Sequence, residues 1–416
     1  MRVAVVAGGS RGDVQPLIPV ARANKAAGHE VTVAASRDAK GLIAGHGLGF
    51  HGLDVSVTGQ LSGDAGQAWI VDSAGRPMRE LRHMRRVYEE MAEPLADGLL
   101  GLSGRADLFV SGILSIDAVV SLAAYDGVAH ACALLAPFHP SADGRAGLTA
   151  TNSRTRRSNL TRTRIGRWLL ARSSTQAGRI VRKRLALPET GAKGFIGALD
   201  QTPAILGASP LLVPTPEDWP STVAVTGHWP LPSPDEWSPP QPLVDFLAAG
   251  RPPVYLGFGS MSVAQPERTR EVAVAAVRAS GHRLLLAGTD ATGPVDDHVF
   301  GIEDVPHDWL FPRTRAVVHH GGAGTTHAAL AAGVPQLAVP HVADQPYWGR
   351  RIHEEGLGPA PIQLRRLNAE TLTARLRELT TTAAHAKRAA ALGDLARAEH
   401  GVATASEALL TTDVGS

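Results

Sequence analysis

"VVHHGGAGTTHAALAAGVP", Val317 to Pro335, leaves a hydrophobic run through a bare turn and continues as an alanine-rich helix. A strand that ends in glycines and opens a helix presents backbone N–H groups with no intrahelical acceptor, at the positive end of the helix dipole. Such a terminus is an anion site, and phosphate is its usual occupant. Gly321, Gly322 and Gly324 let a ligand approach the backbone closely. Ala323 lies between them, and Thr325 and Thr326 add hydroxyl donors. His319 can donate one more hydrogen bond. The spacing is not G-x-x-x-x-G-K-[ST], which argues against a nucleoside-triphosphatase loop. An ordinary strand-to-helix turn reads the same way on these residues alone, so the flanks decide.

Outward from this turn, apolar runs alternate with helical patterns, as in βαβ units with parallel sheets. At the N-terminus, "RVAVVA" (Arg2–Ala7) reads as a buried strand and "GGSRGD" (Gly8–Asp13) as a turn. "VQPLIPVARANKAAG" (Val14–Gly28) follows as a helix, with Pro16 and Pro19 tolerated in its first turn and Gly28 at its end. "EVTVAAS" is the second strand, and "ADLFVSG" (Ala106–Gly112) a later one. Eleven prolines crowd the stretch Pro214–Pro253, the texture of a linker. The pattern then restarts with "PVYLGFGS", "HRLLLAG", "RAVVHH" and "PQLAVP". The class is therefore α/β, with two Rossmann-like domains of parallel sheet. Their expected bounds are 1–213, a proline-rich linker 214–252, a second domain 253–395, and a helical tail 396–416 packing back on the first domain.

Of the 416 residues, 44% are hydrophobic and 19% charged, which suits a globular protein with sizeable cores. A single cysteine, Cys132, excludes an internal disulfide and points to a reducing, cytoplasmic setting. The apolar start "MRVAVVAGG" is too short for a signal peptide. No run reaches the ~20 apolar residues of a spanning helix. Net charge is only +2. Yet the segment 145–184 holds Arg145, Arg154, Arg156, Arg157, Arg162, Arg164, Arg167, Arg172, Arg179, Arg182, Lys183 and Arg184, with no acid between Asp143 and Glu189. A field of one sign attracts anions: an acidic acceptor, or an anionic membrane surface touched peripherally. Nucleic acid is not expected, since no aromatic stacking set or binding motif accompanies the charge.

The flanks of the opening turn, "VPHDWLFPRTRAVVHHGGAGTTHAALAAGVPQLAVPHVADQPYWG" (Val305–Gly349), resemble the donor-binding signature of family 1 glycosyltransferases with the GT-B fold. The closest branch holds the glycopeptide-antibiotic and sterol enzymes. "GGSRGDVQP" (Gly8–Pro16) resembles that branch's acceptor-side loop, and "VTGHWPLP" (Val225–Pro232) its interdomain segment. The resemblance implies two domains facing each other across a cleft, the N-terminal one for the acceptor and the C-terminal one for a UDP- or dTDP-sugar. His319 and the amides from Gly321 to Thr325 would hold the diphosphate. Val305 would offer backbone groups to a pyrimidine, and Asp344 and Gln345 would bind sugar hydroxyls. Ser260, in the turn "GFGSM", adds a phosphate contact, and Ser10, Arg11 and Gly12 are counted with the donor contacts. His327 stands where many relatives carry a Glu for the ribose.

Transfer to a hydroxyl needs a group that takes the acceptor's proton. Many relatives use a His in a G-H-x-x-P loop; here that loop reads Gly12-Asp13-Val14-Gln15-Pro16. Gly112 occupies the place of the Asp that would orient such a His. Asp13 is then the expected catalytic base, as in the glycopeptide-type branch. Read as a helix cap, the same residue would be held ionised, and so weakly basic, by the helix dipole. His139 and Phe138, in "APFHP", are candidate acceptor contacts, with His139 the alternative base. No D-x-D motif or clustered ligand set occurs, so no metal and no cofactor beyond the nucleotide sugar is expected. A nicotinamide enzyme is disfavoured because Gly8–Asp13 is not G-x-G-x-x-G, and a serine hydrolase because no G-x-S-x-G appears. An epimerase of the same fold and a non-catalytic nucleotide-sugar binder are the alternatives.

Overall fold

The computed structural model describes residues 1–56, 59, 64–73, 76–234, 236–259, 266–288 and 292–411. They form two compact units. The first comprises Met1–Gln60, Leu81–Leu231 and His400–Ser416, and the second Leu61–Glu80 and Pro232–Glu399.

The first unit is built on seven strands: β1 Arg2–Ala7, β2 Glu30–Ser36, β3 Gly49–Leu53, β4 Leu108–Ser111, β5 Ala129–Leu134, β6 Ala204–Leu206 and β7 Val223–Val225. They lie in the order β3-β2-β1-β4-β5-β6-β7, every pair parallel. Valines and alanines fill β1 and β2 because helices cover both faces, so alternation with polar residues is lost. The order reverses between β1 and β4. In an open α/β sheet the crevice at that reversal, beyond the strands' carboxyl ends, is where ligands bind. The chain leaves β1 into Gly8–Asp13 at this position.

Gly8–Asp13 is more than the expected turn. Arg11–Val14 forms one helical turn, and the long helix begins only at Leu17, running to Ala26. Pro16 explains the break: it has no N–H to continue the helical ladder, although the backbone of Gln15 and of Pro16 itself stays in the helical region. Gly28 closes the helix at φ +90°.

The second unit holds β8 Val254–Gly257, β9 Leu284–Ala287, β10 Gly293–Pro294, β11 Val299–Ile302, β12 Ala316–His319 and β13 Gln336–Ala338. Their order is β10-β11-β9-β8-β12-β13, parallel except for the short edge pair β10–β11. Here the reversal falls between β8 and β12, and β12 delivers the chain into His320–Gly322 and the helix Ala323–Ala332.

The proline-rich stretch 214–252 is not one linker. Val223–Val225 is β7 of the first sheet, the units divide after Leu231, and Gln241–Ala248 is a helix of the second unit. Prolines sit where the backbone donates nothing to a ladder, so a strand and a helix fit between them. Trp229, 2% exposed, anchors the end of the stretch in the first core, with Nε1 donating to Thr226 Oγ1 at 2.9 Å. The helix Gly401–Leu410 packs against Leu17–Ala26 and buries Ala405 and Leu409 in the same core.

The basic segment forms two helices of the first unit, Arg156–Ser173 and Gln176–Arg184. Its expected field of one sign is partly cancelled. Arg145 pairs with Asp143, Arg167 with Asp200, and Arg184 with Glu93 and Asp97. The acids come from outside the stretch, so a count along the chain does not see them. Ile165 and Trp168 are exposed, with the Arg172 guanidinium over the indole. No helix among the described residues is long and apolar enough to cross a membrane.

Candidate active site

The second unit's turn is fixed by a closed chain of buried hydrogen bonds. Gly321 N–H donates to His319 Nδ1 at 3.1 Å. The His319 proton therefore sits on Nε2, which donates to Gln336 Oε1 at 3.1 Å, and Gln336 Nε2 donates to the Thr326 carbonyl at 3.2 Å. His319 is fully buried, and desolvation lowers its pKa to about 4, so the ring is neutral. With both nitrogens engaged, His319 shapes the turn and has no N–H left for a phosphate, contrary to the sequence reading. The neighbouring His320 has its Nδ1 buried with no partner among the described residues, and burial together with His319, His341 and His307 keeps the ring well below its ordinary pKa.

Gly321 holds φ +88°, and a Cβ there would stand 2.9 Å from the Gln345 carbonyl oxygen. A Cβ on Gly322 would enter the His320 ring. Gly322 caps the helix, and the amides of Ala323, Gly324 and Thr325 then have no intrahelical acceptor. Gly324 is exposed, with nothing within 4 Å of where its Cβ would be. Thr325 is half-buried, whereas Thr326 turns its hydroxyl back to the Gly322 carbonyl at 2.9 Å. His327 is buried, Nδ1 against the Ala323 carbonyl and ring edge-on to Trp348, which does not suit a ribose contact.

Asp344 and Gln345 open the helix Gln345–Glu354. Asp344 Oδ2 accepts from Trp348 Nε1 at 2.7 Å. Gln345 Oε1 accepts from the N–H groups of His341 and Val342 at 2.8 and 3.1 Å, so its amide nitrogen is the group left for a ligand. Ala343, just before the pair, is held at φ +59° and donates its N–H to Glu80 Oε1 at 2.6 Å. Burial raises the Glu80 carboxyl's pKa; the Ala343 bond opposes this and Asp344 adds to it. Val305 N–H is already given to the Glu303 carbonyl at 3.2 Å, so only its own carbonyl can face a base. Ser260 lies outside the described residues. Among the described residues no group of His, Cys, Asp and Glu could hold a metal ion.

In the first unit, Ser10 is the cap of Arg11–Val14 and Asp13 its third residue, so Asp13 is not itself the cap. Ser10 N–H and Oγ both donate to Asp13 Oδ2, at 2.8 and 3.1 Å, leaving Oδ1 as the open oxygen. Desolvation nevertheless outweighs these bonds, and the Asp13 pKa is raised. The dipole expected to keep the base weak is met by the desolvation expected to help it: burial outweighs the two Ser10 bonds. Ser10, Arg11 and Gly12 belong to this unit, away in the chain from the second turn; Arg11 Nε holds Gln15 Oε1 at 3.1 Å. The Asp13 and Asp117 carboxylates both push up the pKa of Tyr88, whose main perturbation is burial. Asp117 accepts the Gly178 N–H at 2.7 Å, and burial raises its pKa to about 7. His139, 5% exposed, and Phe138 lie beside Trp219 and Arg167.

The sequence reading missed His320, Gln336 and Glu80. Alternation along β12 could have found the first: if His319 turns into the core, His320 turns the other way. Nothing local marks Glu80, which is 263 positions from Ala343.

Comparison with known proteins places this geometry. Residues 3–113 match the model of the glycosyltransferase family 28 N-terminal domain, and residues 286–406 that of the erythromycin biosynthesis protein CIII-like C-terminal domain. The chain is 34% identical to O-mycaminosyltylonolide 6-deoxyallosyltransferase of Streptomyces fradiae, over 97% of this chain and 96% of that protein. It is 30% identical to sterol 3-beta-glucosyltransferase UGT80B1 of Arabidopsis thaliana, over 91% of this chain and 62% of that one. Among solved structures, the glycotransferase of kitacinnamycin superposes with a TM-score of 0.72 at 19% identity, covering 99% and 98% of the two chains. Spinosyn rhamnosyltransferase SpnG, complexed with thymidine diphosphate, gives 0.65 at 19% identity, covering 99% and 100%.

Proposed function

The chain belongs to the GT-B glycosyltransferases, in the branch of natural-product and sterol enzymes, and from that premise we propose that it moves a sugar from a nucleotide diphosphate to a small-molecule hydroxyl with inversion at the sugar carbon. The observation that carries this reading is the open helix terminus from Gly321 to Thr325. Its amides, with His320 Nδ1, receive the diphosphate. They interact more strongly as the glycosidic bond breaks and charge gathers on the leaving group, which is how such contacts lower a barrier without a metal. Asp344 and Gln345 hold the sugar hydroxyls, and the Val305 carbonyl meets the pyrimidine. Asp13 Oδ1 takes the acceptor's proton as the acceptor oxygen bonds to the anomeric carbon. The nucleoside diphosphate departs from the opposite face, so a single displacement inverts the centre. The raised pKa of Asp13 suits a base better than an ordinary surface carboxylate would. A relative's complex with thymidine diphosphate favours a dTDP-sugar over a UDP-sugar. Exposed Ile165 and Trp168 are the contact through which the basic segment would meet an anionic membrane.

The test is direct. The protein is incubated with dTDP- and UDP-sugars, and free nucleotide is followed before and after adding phenols, macrolides, glycopeptides and sterols. Nucleotide release that depends on an acceptor, with an adduct one sugar heavier, is expected. Interconversion of sugar nucleotides without acceptor identifies an epimerase, and binding without any turnover a non-catalytic binder.

A further inference from the structure

Among the described residues of the first unit, five buried side-chain nitrogens of three residues packed near one another have no hydrogen-bond partner: Nδ1 and Nε2 of His139, Nε and Nη2 of Arg167, and Nε1 of Trp219. The three residues are 5%, 7% and 9% exposed. The His139 and Trp219 rings lie 6.2 Å apart. Arg167 stands over the ring of Phe138, 5.5 Å from its centroid, and its charge reaches His139. One unmet buried donor costs about 1–3 kcal/mol. Native structures rarely leave several together, unless the partner is not part of the chain.

The chemistry of the missing partner follows from which atoms are engaged. Arg167 Nη1 binds Asp200 at 2.6 Å, and Asp200 is itself half in solvent. The opposite edge of the guanidinium, Nε–H beside Nη2–H, is a parallel pair of donors shaped for the two oxygens of a carboxylate. Trp219 can only donate. Burial, and then Arg167, lower the His139 pKa to about 4, so His139 is neutral and adds one more N–H. Phe138 and Trp219, both largely buried, place aromatic rings beside these donors. The fork is dry where Asp200 is wet, so an anion on the fork is screened less than the existing pair.

We propose that Arg167, Trp219 and His139 form the subsite for a carboxylate on the acceptor, and that the preferred acceptor is an aromatic acid bearing the hydroxyl that receives the sugar. This rests on the reading that the first unit binds the acceptor. Within the basic segment, Arg167 would read the acceptor's charge, with Phe138 and Trp219 beside its ring.

Calorimetry on the full chain with 4-hydroxybenzoate, its methyl ester and acetate tests the subsite. The acid is expected to bind about tenfold or more tightly than the ester, and than acetate, because only the acid offers both fork and ring their partners. Arg167→Lys keeps a charge for Asp200 but removes the fork, and Trp219→Phe keeps the ring but removes the N–H. Each is expected to weaken the acid about tenfold and to leave the ester unchanged. Equal binding of acid and ester, no binding of the acid, or variants that bind the acid like wild type would overturn the proposal. Acetate binding as tightly as 4-hydroxybenzoate would assign the subsite to a free anion and overturn it as an acceptor site. Nucleotide release from a dTDP-sugar is followed separately: its absence with every acceptor removes the proposed transfer, whereas the calorimetric pattern alone decides the subsite.

Discussion

The molecule contains two strand–turn–helix units at the reversal points of two sheets, and they treat the helix terminus in opposite ways. Position by position, Ser10-Arg11-Gly12-Asp13 stands against Gly322-Ala323-Gly324-Thr325: cap, first, second and third helical residue. In the first, the chain supplies its own anion. Asp13 takes the Ser10 N–H and hydroxyl, and a Cβ on Gly9 would run into that carboxylate. In the second, the first turn has no acid, and the space above Gly324 is open. Under the proposed function, one third-position residue separates a terminus that holds the base from one that receives the donor's phosphates. The shared fold sets the location, and this residue sets the use.

Removing the internal anion should have the largest effect. Asp13→Asn keeps the oxygen that Ser10 binds but cannot accept a proton, and turnover is expected to fall ~10²–10⁴-fold. Nucleoside diphosphate binding should stay at the wild-type value, which calorimetry checks. In the wild type, the base must be ionised, so kcat falls as pH drops through the Asp13 pKa. Because burial raises that pKa, the acid limb lies above the ~3.9 of an ordinary aspartate. A limb at or below that value would contradict the desolvated base.

Smaller effects sharpen the second turn. His320→Ala should weaken the bare nucleoside diphosphate by about tenfold, the worth of one hydrogen bond to a charged group, with the melting temperature little changed. His319→Ala should show the reverse emphasis, a lower melting temperature from the broken Gly321–His319–Gln336 chain and only a secondary loss of affinity. Equal behaviour of the two variants would collapse the distinction drawn between them. Asp344→Ala should leave the bare nucleotide's affinity alone and weaken the nucleotide sugar several-fold, since Asp344 serves the sugar; side-by-side titration of the two ligands reads this out.

Much of this was visible in the sequence. Glycine spacing and strand patterning located both turns, because local backbone freedom and apolar periodicity are written in neighbouring residues. The sequence reading assigned the phosphate contact to His319 where we propose His320, since a doublet does not say which ring turns inward until Gln336, a residue of the adjacent strand, engages one of them. The basic segment looked like a free field because Glu93, Asp97 and Asp200 meet it only in three dimensions. The strength of Asp13 is only partly legible for a related reason: its Ser10 bonds are local and readable, whereas how far it is buried is not. Proline crowding from 214 to 253 hid β7, whose three residues are too few to carry a pattern of their own.

The contrast between the turns is tested most directly by giving the second one an internal anion too, at Gly324, one position before the counterpart of Asp13. Gly324→Asp adds a carboxylate to the first turn of the Ala323–Ala332 helix, in open space and without the left-handed backbone that would make a side chain costly there. An acid at this position suits the helix, so the melting temperature should hold or rise slightly. The same carboxylate would compete with and repel a diphosphate, costing about 1–2 kcal/mol, or roughly tenfold or more in Kd for dTDP. Wild-type affinity for dTDP in a folded Gly324→Asp protein would contradict the assignment of this terminus to the donor's phosphates.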